Sequence, residues 1–197
     1  MSVTSANRYL TREEMQGNAL YITTIFLVRG WSLQAISAML GNMESESTIN
    51  PGIYESLDSS STSNGFGLVQ WTPNTKYKTW ADAHGYNDYG DIDGQLDRIS
   101  YEVENGLQWI TTDAYPLSFE TFTKSTLTPE YLAQAFLYNY ERPASLDQPA
   151  RSTQARSWYT FLQGHSPDIP DTPPTPSDGK KKEMSKLLLY YTGALRR

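Results

Sequence analysis

The sequence predicts a mainly α-helical single domain with one small polar β or loop excursion inserted after its second helix. Three observations carry this. Apolar residues recur at helical spacing behind recognisable N-terminal caps, a stretch rich in Ser, Thr, Gly and Asn interrupts them once, and a proline-rich segment closes the domain near residue 165.

The elements follow in order. Thr11-Arg12-Glu13-Glu14 fits a capping box, in which the Thr hydroxyl and the Glu carboxylate satisfy free N–H groups reciprocally. Met15, Ala19, Ile22 and Phe26 then mark the buried face of a first helix, with Leu20 and Ile25 alongside and Gly30 placed to end it. Ser32 caps a second helix with Leu33, Ile36, Met39 and Leu40 inward, running to about Glu46 before Asn50-Pro51-Gly52 forces a turn. Pro51 to Pro73 reads as the exposed excursion. Helix resumes near Asp93, with Leu96, Ile99, Val103 and Leu107 recurring. Thr128-Pro129-Glu130 announces another, an N-cap followed by proline in the first turn; it buries Leu132, Ala133, Phe136 and Tyr140 and stops before Pro143. A last helix is expected from about Ala150 to Leu162, with Trp158 and Phe161 inward and Gly164 as terminator.

Residues 1–165 thus form the body. Residues 166–179 hold five prolines in fourteen residues, a stiff polyproline-type spacer able to reach about 40 Å at roughly 3.1 Å per residue. In residues 180–197, Met184, Leu187, Leu188, Tyr191 and Leu195 share one helical face between basic ends. That segment is either a frayed terminal helix or a docking peptide for a partner protein or an anionic surface.

Composition narrows the function. The formal net charge is -6, and the body carries 10 basic against 18 acidic residues, so it should repel polyphosphate and is a poor nucleic-acid binder. Aromatic content of 13% beside that acidity suits a neutral polymer such as a glycan, although crowded aromatics are also what a core requires. With no cysteine and only His84 and His165, thiolate chemistry, disulfides, a Ser-His-Asp triad and a multi-histidine metal site are not expected. No apolar run approaches the roughly 18 to 20 residues of a membrane helix, and no secretory signal is expected from the first residues.

Two segments have the residues for chemistry. Gly41 to Gly52 sets Glu44 and Glu46 at the C-terminal end of an apolar helix, where the helix dipole and partial burial both disfavour the ionised form, as a general acid requires. Gly65-Phe66-Gly67-Leu68-Val69-Gln70-Trp71 follows, its paired glycines permitting close backbone approach to a ligand and its amide and indole suited to a sugar. In this order, Glu46-Ser47, Asn50-Pro51 and Gly65 to Gln70 resemble the signature of goose-type lysozymes and soluble lytic transglycosylases. The continuation into Trp71-Thr72-Pro73 and the later Tyr140-Glu141-Arg142-Pro143 is similar to the tail-associated lysozyme domain of small tailed bacteriophages, over roughly residues 7 to 163.

That resemblance implies an α+β lysozyme-like fold with a central cleft. It also implies hydrolysis of the β-1,4 bond between N-acetylmuramic acid and N-acetylglucosamine in peptidoglycan, with neither metal nor cofactor. Glu46 matches the catalytic acid; Glu44, about 200° around the helix, is then a surface charge. Gln70 matches the cleft-floor amide. Tyr138 and Tyr140 orient Glu46 or the substrate, or are core rings, and Trp71 stacks on a sugar or packs in the core. Asp58, in the polar loop, is the first candidate for the second carboxylate. If none faces Glu46, a substrate-assisted or lytic transglycosylase outcome is expected instead. The resemblance further implies a virion enzyme at the tail tip, made in the host cytoplasm and tethered to tail knob or tip proteins through residues 166–197. A non-catalytic glycan-binding module, a structural tail or plug protein, and a cytosolic endolysin are the alternatives.

Overall fold

A computed structural model describes residues 2–165. The spacer 166–179 and the basic segment 180–197 lie outside the described residues.

Seven α-helices make up the body: α1 (Arg12–Val28), α2 (Leu33–Ser47), α3 (Thr75–Ala83), α4 (Ile92–Glu104), α5 (Phe119–Lys124), α6 (Pro129–Phe136) and α7 (Ala150–Gly164). Local chemistry sets the starts where expected. Thr11 and Glu14 form the capping box of α1, Ser32 accepts from the Ala35 amide at the head of α2, and Thr128 accepts from Tyr131 at the head of α6. Gly30, with φ +79°, follows the end of α1. Two helices have no counterpart in the sequence reading. α3 buries only Tyr77 and Ala81 and lacks a side-chain cap, and α5 is six residues long.

α2 is the axis of the domain. Every residue from Ala35 to Met43 is buried, because α7 and α6 cover two sides and α1 and α5 lie against others. A helix that is apolar nearly all round belongs at the centre of a packed domain rather than at its surface. The close approach of α7 requires Gly41: a Cβ there would meet the Ala155 backbone nitrogen at 2.6 Å. α7 in turn buries Trp158 and Leu162, with Phe161 only half-buried.

The polar excursion is less regular than a hairpin. Among the described residues its β character is one antiparallel bridge between Tyr54 and Phe66, framed by hydrogen bonds from Glu55 N to Gly65 O and from Gly67 N to Ile53 O, both 3.0 Å. A short 3-10 turn, Glu55–Leu57, follows the first strand-like residues. Most aromatic residues are core. Phe119, Phe122, Phe136, Trp31 and Trp109 cluster beside α5, and Trp71 stacks on Tyr77 at 4.9 Å.

Candidate active site

The C-terminal end of α2 sets Glu46 in place. The helix closes on Thr48, which is left-handed at φ 54°, and Ile49 is left-handed as well, a strained conformation for a β-branched residue held by full burial and by Asn18 donating to its carbonyl at 2.8 Å. Ser47 fastens this end to the glycine-rich segment. Its hydroxyl lies 2.8 Å from the Leu68 carbonyl and 2.9 Å from that of Met43, and it accepts from the Asn50 amide at 3.3 Å. Asn50 is buried, donating to the carbonyls of Ala6 and Arg8 at 2.6 Å. The Glu-Ser and Asn-Pro parts of the motif are therefore scaffold around one carboxylate.

The turn that Ser47 reaches is equally determined. Gly67 sits at φ +80°, where a Cβ would meet Gln95 Oε1 at 2.5 Å. That buried amide oxygen accepts from Leu68 N at 2.8 Å while Gln95 Nε2 donates to the carbonyls of Pro51 and Tyr89. Gln70 is half-buried and folds its own amide back onto the turn, donating to Gly67 O at 3.0 Å and Ile53 O at 3.3 Å.

Glu46 is not solitary. Its Oε1 accepts from Nη2 of Arg151, on α7, at 2.5 Å; the arginine side chain is 5% exposed and the glutamate side chain 21%. Arg151 also donates to Gln148 Oε1 at 2.7 Å and to Asn42 Oδ1 at 3.1 Å, while Asn42, fully buried, donates to Ala133 O on α6. Three helices thus fix the orientation of one carboxyl. Oε2 of Glu46 accepts no hydrogen bond among the described residues.

A second carboxyl group lies within electrostatic reach of Glu46. Glu141 ends the π-turn Leu137–Glu141 that continues α6, and Oε1 of its side chain is buried with no hydrogen-bond partner. Burial, and after it the charge of Glu46, hold its pKa well above the usual carboxylate range, against the pull of Arg151. The neighbouring Arg142 is left-handed at φ 49° and spends its guanidinium on the carbonyls of Gln108 and Asn139.

The remaining sequence candidates separate. Trp71 is 3% exposed and Tyr140 1%, and both turn their polar atoms onto Glu102 of α4: Trp71 Nε1 donates to Oε1 at 2.9 Å and the Tyr140 hydroxyl to Oε2 at 2.5 Å. Arg98 Nε adds a donor at 2.8 Å. A wholly buried carboxylate needs such donors, and it takes these two aromatics into the core, away from a sugar and from Glu46. Burial pushes the Glu102 pKa upward. Tyr138 is half-buried, its ring 4.9 Å from that of Tyr115, and keeps access to solvent. Asp58 is exposed and organises its own loop, accepting from Ser60 N at 2.9 Å and Ser60 Oγ at 2.6 Å; the Ser60 hydroxyl and amide lower its pKa. No hydrogen bond or ion pair joins it to Glu46. Glu44 is not a free surface charge, since Arg12 pairs with it at 3.2 Å and Trp158 Nε1 donates to it at 2.7 Å.

Sequence reasoning missed Arg151, and it named Glu141 only within the run Tyr140 to Pro143, without a role of its own. For Arg151 a signal existed: it lies on the stripe Arg151, Ala155, Trp158, Leu162, and a charged residue in an otherwise apolar stripe implies a buried partner.

A carboxylate at the end of a buried helix, next to a serine hydrogen-bonded to a glycine-rich turn in a mainly helical body, fits a lysozyme-like helical domain. The chain matches the phage tail lysozyme family over residues 17–162 and belongs to that family. It is 52% identical over 160 residues to "Morphogenesis protein 1" of Bacillus phage B103, an alignment covering 81% of this chain and 43% of that relative. The chain therefore spans less than half the length of the curated relative it matches. No helix among the described residues is long and apolar enough to cross a membrane.

Proposed function

We propose that this chain is a peptidoglycan glycan-strand hydrolase that cleaves the β-1,4 bond between N-acetylmuramic acid and N-acetylglucosamine, with Glu46 as general acid. Family membership supports a lysozyme-like enzyme, and the single observation carrying the assignment is the placement of Glu46: partly exposed, its helix end bolted through Ser47 to Leu68 of the glycine-rich turn.

With Oε1 held by Arg151, Oε2 presents the proton. It passes to the glycosidic oxygen as the bond to the anomeric carbon breaks, and a proton lost from the water that adds at that carbon restores the acid. Gln70 and Tyr138, the two candidates that keep solvent access, contact the sugar. Asp58 remains the candidate base only if its loop closes on the substrate; a glycosidase base works roughly 6.5 to 9.5 Å from the acid, across a water. If no second carboxylate comes within reach of the anomeric carbon, the muramic acid closes on itself and the product is an anhydro sugar.

The setting we propose is a virion enzyme of a phage tail tip that opens the wall during host entry, with residues 166–197 tethering it to tail proteins; membership of the phage tail lysozyme family and the likeness to a phage morphogenesis protein support it. Digestion of purified peptidoglycan with mass analysis of the products tests the reading. Reducing-end muropeptides indicate hydrolysis, and products lighter by one water indicate transglycosylation. Intact glycan strands after exhaustive incubation would leave only a binding or structural role.

A further inference from the structure

Of the 10 basic residues in the body, seven sit in ion pairs with carboxylates. Arg142 is held by backbone carbonyls and Lys76 is exposed. That leaves Lys78 on α3, which is half-buried and makes no ion pair among the described residues. Rings enclose it instead. Its Nζ lies 4.7 Å from the ring centroid of Tyr54, 5.3 Å from that of Phe66 and 5.4 Å from that of Tyr89, and donates to the Tyr54 hydroxyl at 3.1 Å. Two acids close by in sequence are committed elsewhere. Asp82, one turn further along α3, accepts from the Tyr89 hydroxyl at 2.8 Å, and Glu55 accepts from the Gly65 amide at 2.8 Å. Contact with ring faces offsets part of the cost of drawing an ammonium group out of water, but supplies no countercharge. In a body with 18 acidic residues, this half-buried cation is left for an anion that arrives from outside the domain.

Its position ties it to the proposed site. Tyr54 and Phe66 form the antiparallel bridge of the polar excursion, their rings 4.6 Å apart. Phe66 belongs to the same glycine-rich run whose Leu68 carbonyl accepts from Ser47, next to Glu46. We propose that Lys78 and the Tyr54 hydroxyl form a carboxylate-binding subsite for the peptidoglycan strand. Lys78 has two N–H groups beyond the one given to Tyr54, and the Tyr54 oxygen, accepting from Lys78, keeps its own proton to donate, so an ammonium and a phenol converge on one carboxylate. A strand offers that group from two sources, the free lactyl arm of muramic acid or, where a stem peptide caps that arm, the peptide's own carboxylates. The inference rests on peptidoglycan being the substrate.

The test is calorimetric binding by the full chain carrying E46Q, which prevents turnover, alone and combined with K78M, K78R or Y54F. Three soluble ligands are compared: peptide-bearing glycan fragments, fragments stripped by an amidase so that lactyl carboxylates are free, and chitin oligosaccharides, which carry no carboxylate. K78M should weaken binding of a carboxylate-bearing fragment about tenfold, Y54F about threefold, and K78R should stay within about threefold of the parent, with chitin binding changed less than twofold throughout. Loss on the peptide-bearing fragments assigns the stem-peptide carboxylate, and loss on the stripped fragments alone assigns the lactyl one. A folded K78M that binds both carboxylate-bearing ligands as its parent does overturns the inference, and so does an equal loss on chitin oligosaccharides. Should K78M fail to fold, Y54F decides by the same readings. Lys78-dependent binding in a chain whose wild type cleaves no peptidoglycan would instead overturn the hydrolase reading, which separates the two failures.

Discussion

Replacing Arg151 by methionine removes the guanidinium while keeping most of the buried stem. Two losses follow. Asn42 Oδ1, fully buried, loses its donor at 3.1 Å, which costs about 1–3 kcal/mol. Glu46 loses its ion-pair partner; breaking a buried pair costs about 3–5 kcal/mol, but the 21% exposure of the glutamate lets water recover part of the charge, leaving about 1–2 kcal/mol. The total of about 3 kcal/mol corresponds to a fall in Tm of roughly 6–12 °C for a domain of this size. Calorimetry on R151M measures it. The double variant R151M/E46Q removes the stranded charge as well, so its destabilisation should be smaller than the sum of the two single changes by about 1 kcal/mol or more. A Tm within 2 °C of wild type for R151M, or strict additivity in the double variant, would refute the view that Arg151 holds Glu46 as a desolvated pair.

Other outcomes follow from the same network. Burial holds the Glu141 proton to higher pH in the folded state than in the unfolded chain, where the group ionises above about pH 4.3, so the folded state binds more protons and its stability falls as pH rises toward the folded pKa. E141Q should flatten that fall in a pH series of melting curves, leaving the part due to Glu102, which burial shifts the same way. Trp71→Phe strips one donor from Glu102 and should cost about 1–3 kcal/mol in denaturant unfolding while changing KM less than twofold; a large rise in KM at unchanged stability would restore the indole to the substrate.

The parts of the fold that sequence revealed are those with local causes. Thr11 with Glu14, Ser32 and Thr128-Pro129 act within one turn of themselves, so the starts of α1, α2 and α6 were legible. α3 was not, because two buried residues and an uncapped start leave little pattern; its rings serve a stack with Trp71 that only the folded chain brings together. The site divides in the same way. Glu46, Ser47 and Gly65 to Gln70 lie in two short runs whose order carries the family signature, whereas Arg151 reaches Glu46 across 105 positions of sequence. Trp71 and Tyr140 were open to two readings from sequence, and what decides their placement is a third residue, Glu102, on the buried face of a helix with no motif of its own. The polar excursion was legible as polar, but its backbone is organised by side chains such as Asp58 and Gln95 more than by strand pairing, which no alternation of residues announces.

The most direct measurement is turnover of purified peptidoglycan by Glu46→Gln. The amide has the shape of the acid and can still accept from Arg151, but it has no proton to give to a glycosidic oxygen. Release of soluble glycan fragments should fall by a factor of about a thousand or more in a protein whose circular dichroism remains that of the wild type. Fragments released at the wild-type rate by that folded variant would contradict the account.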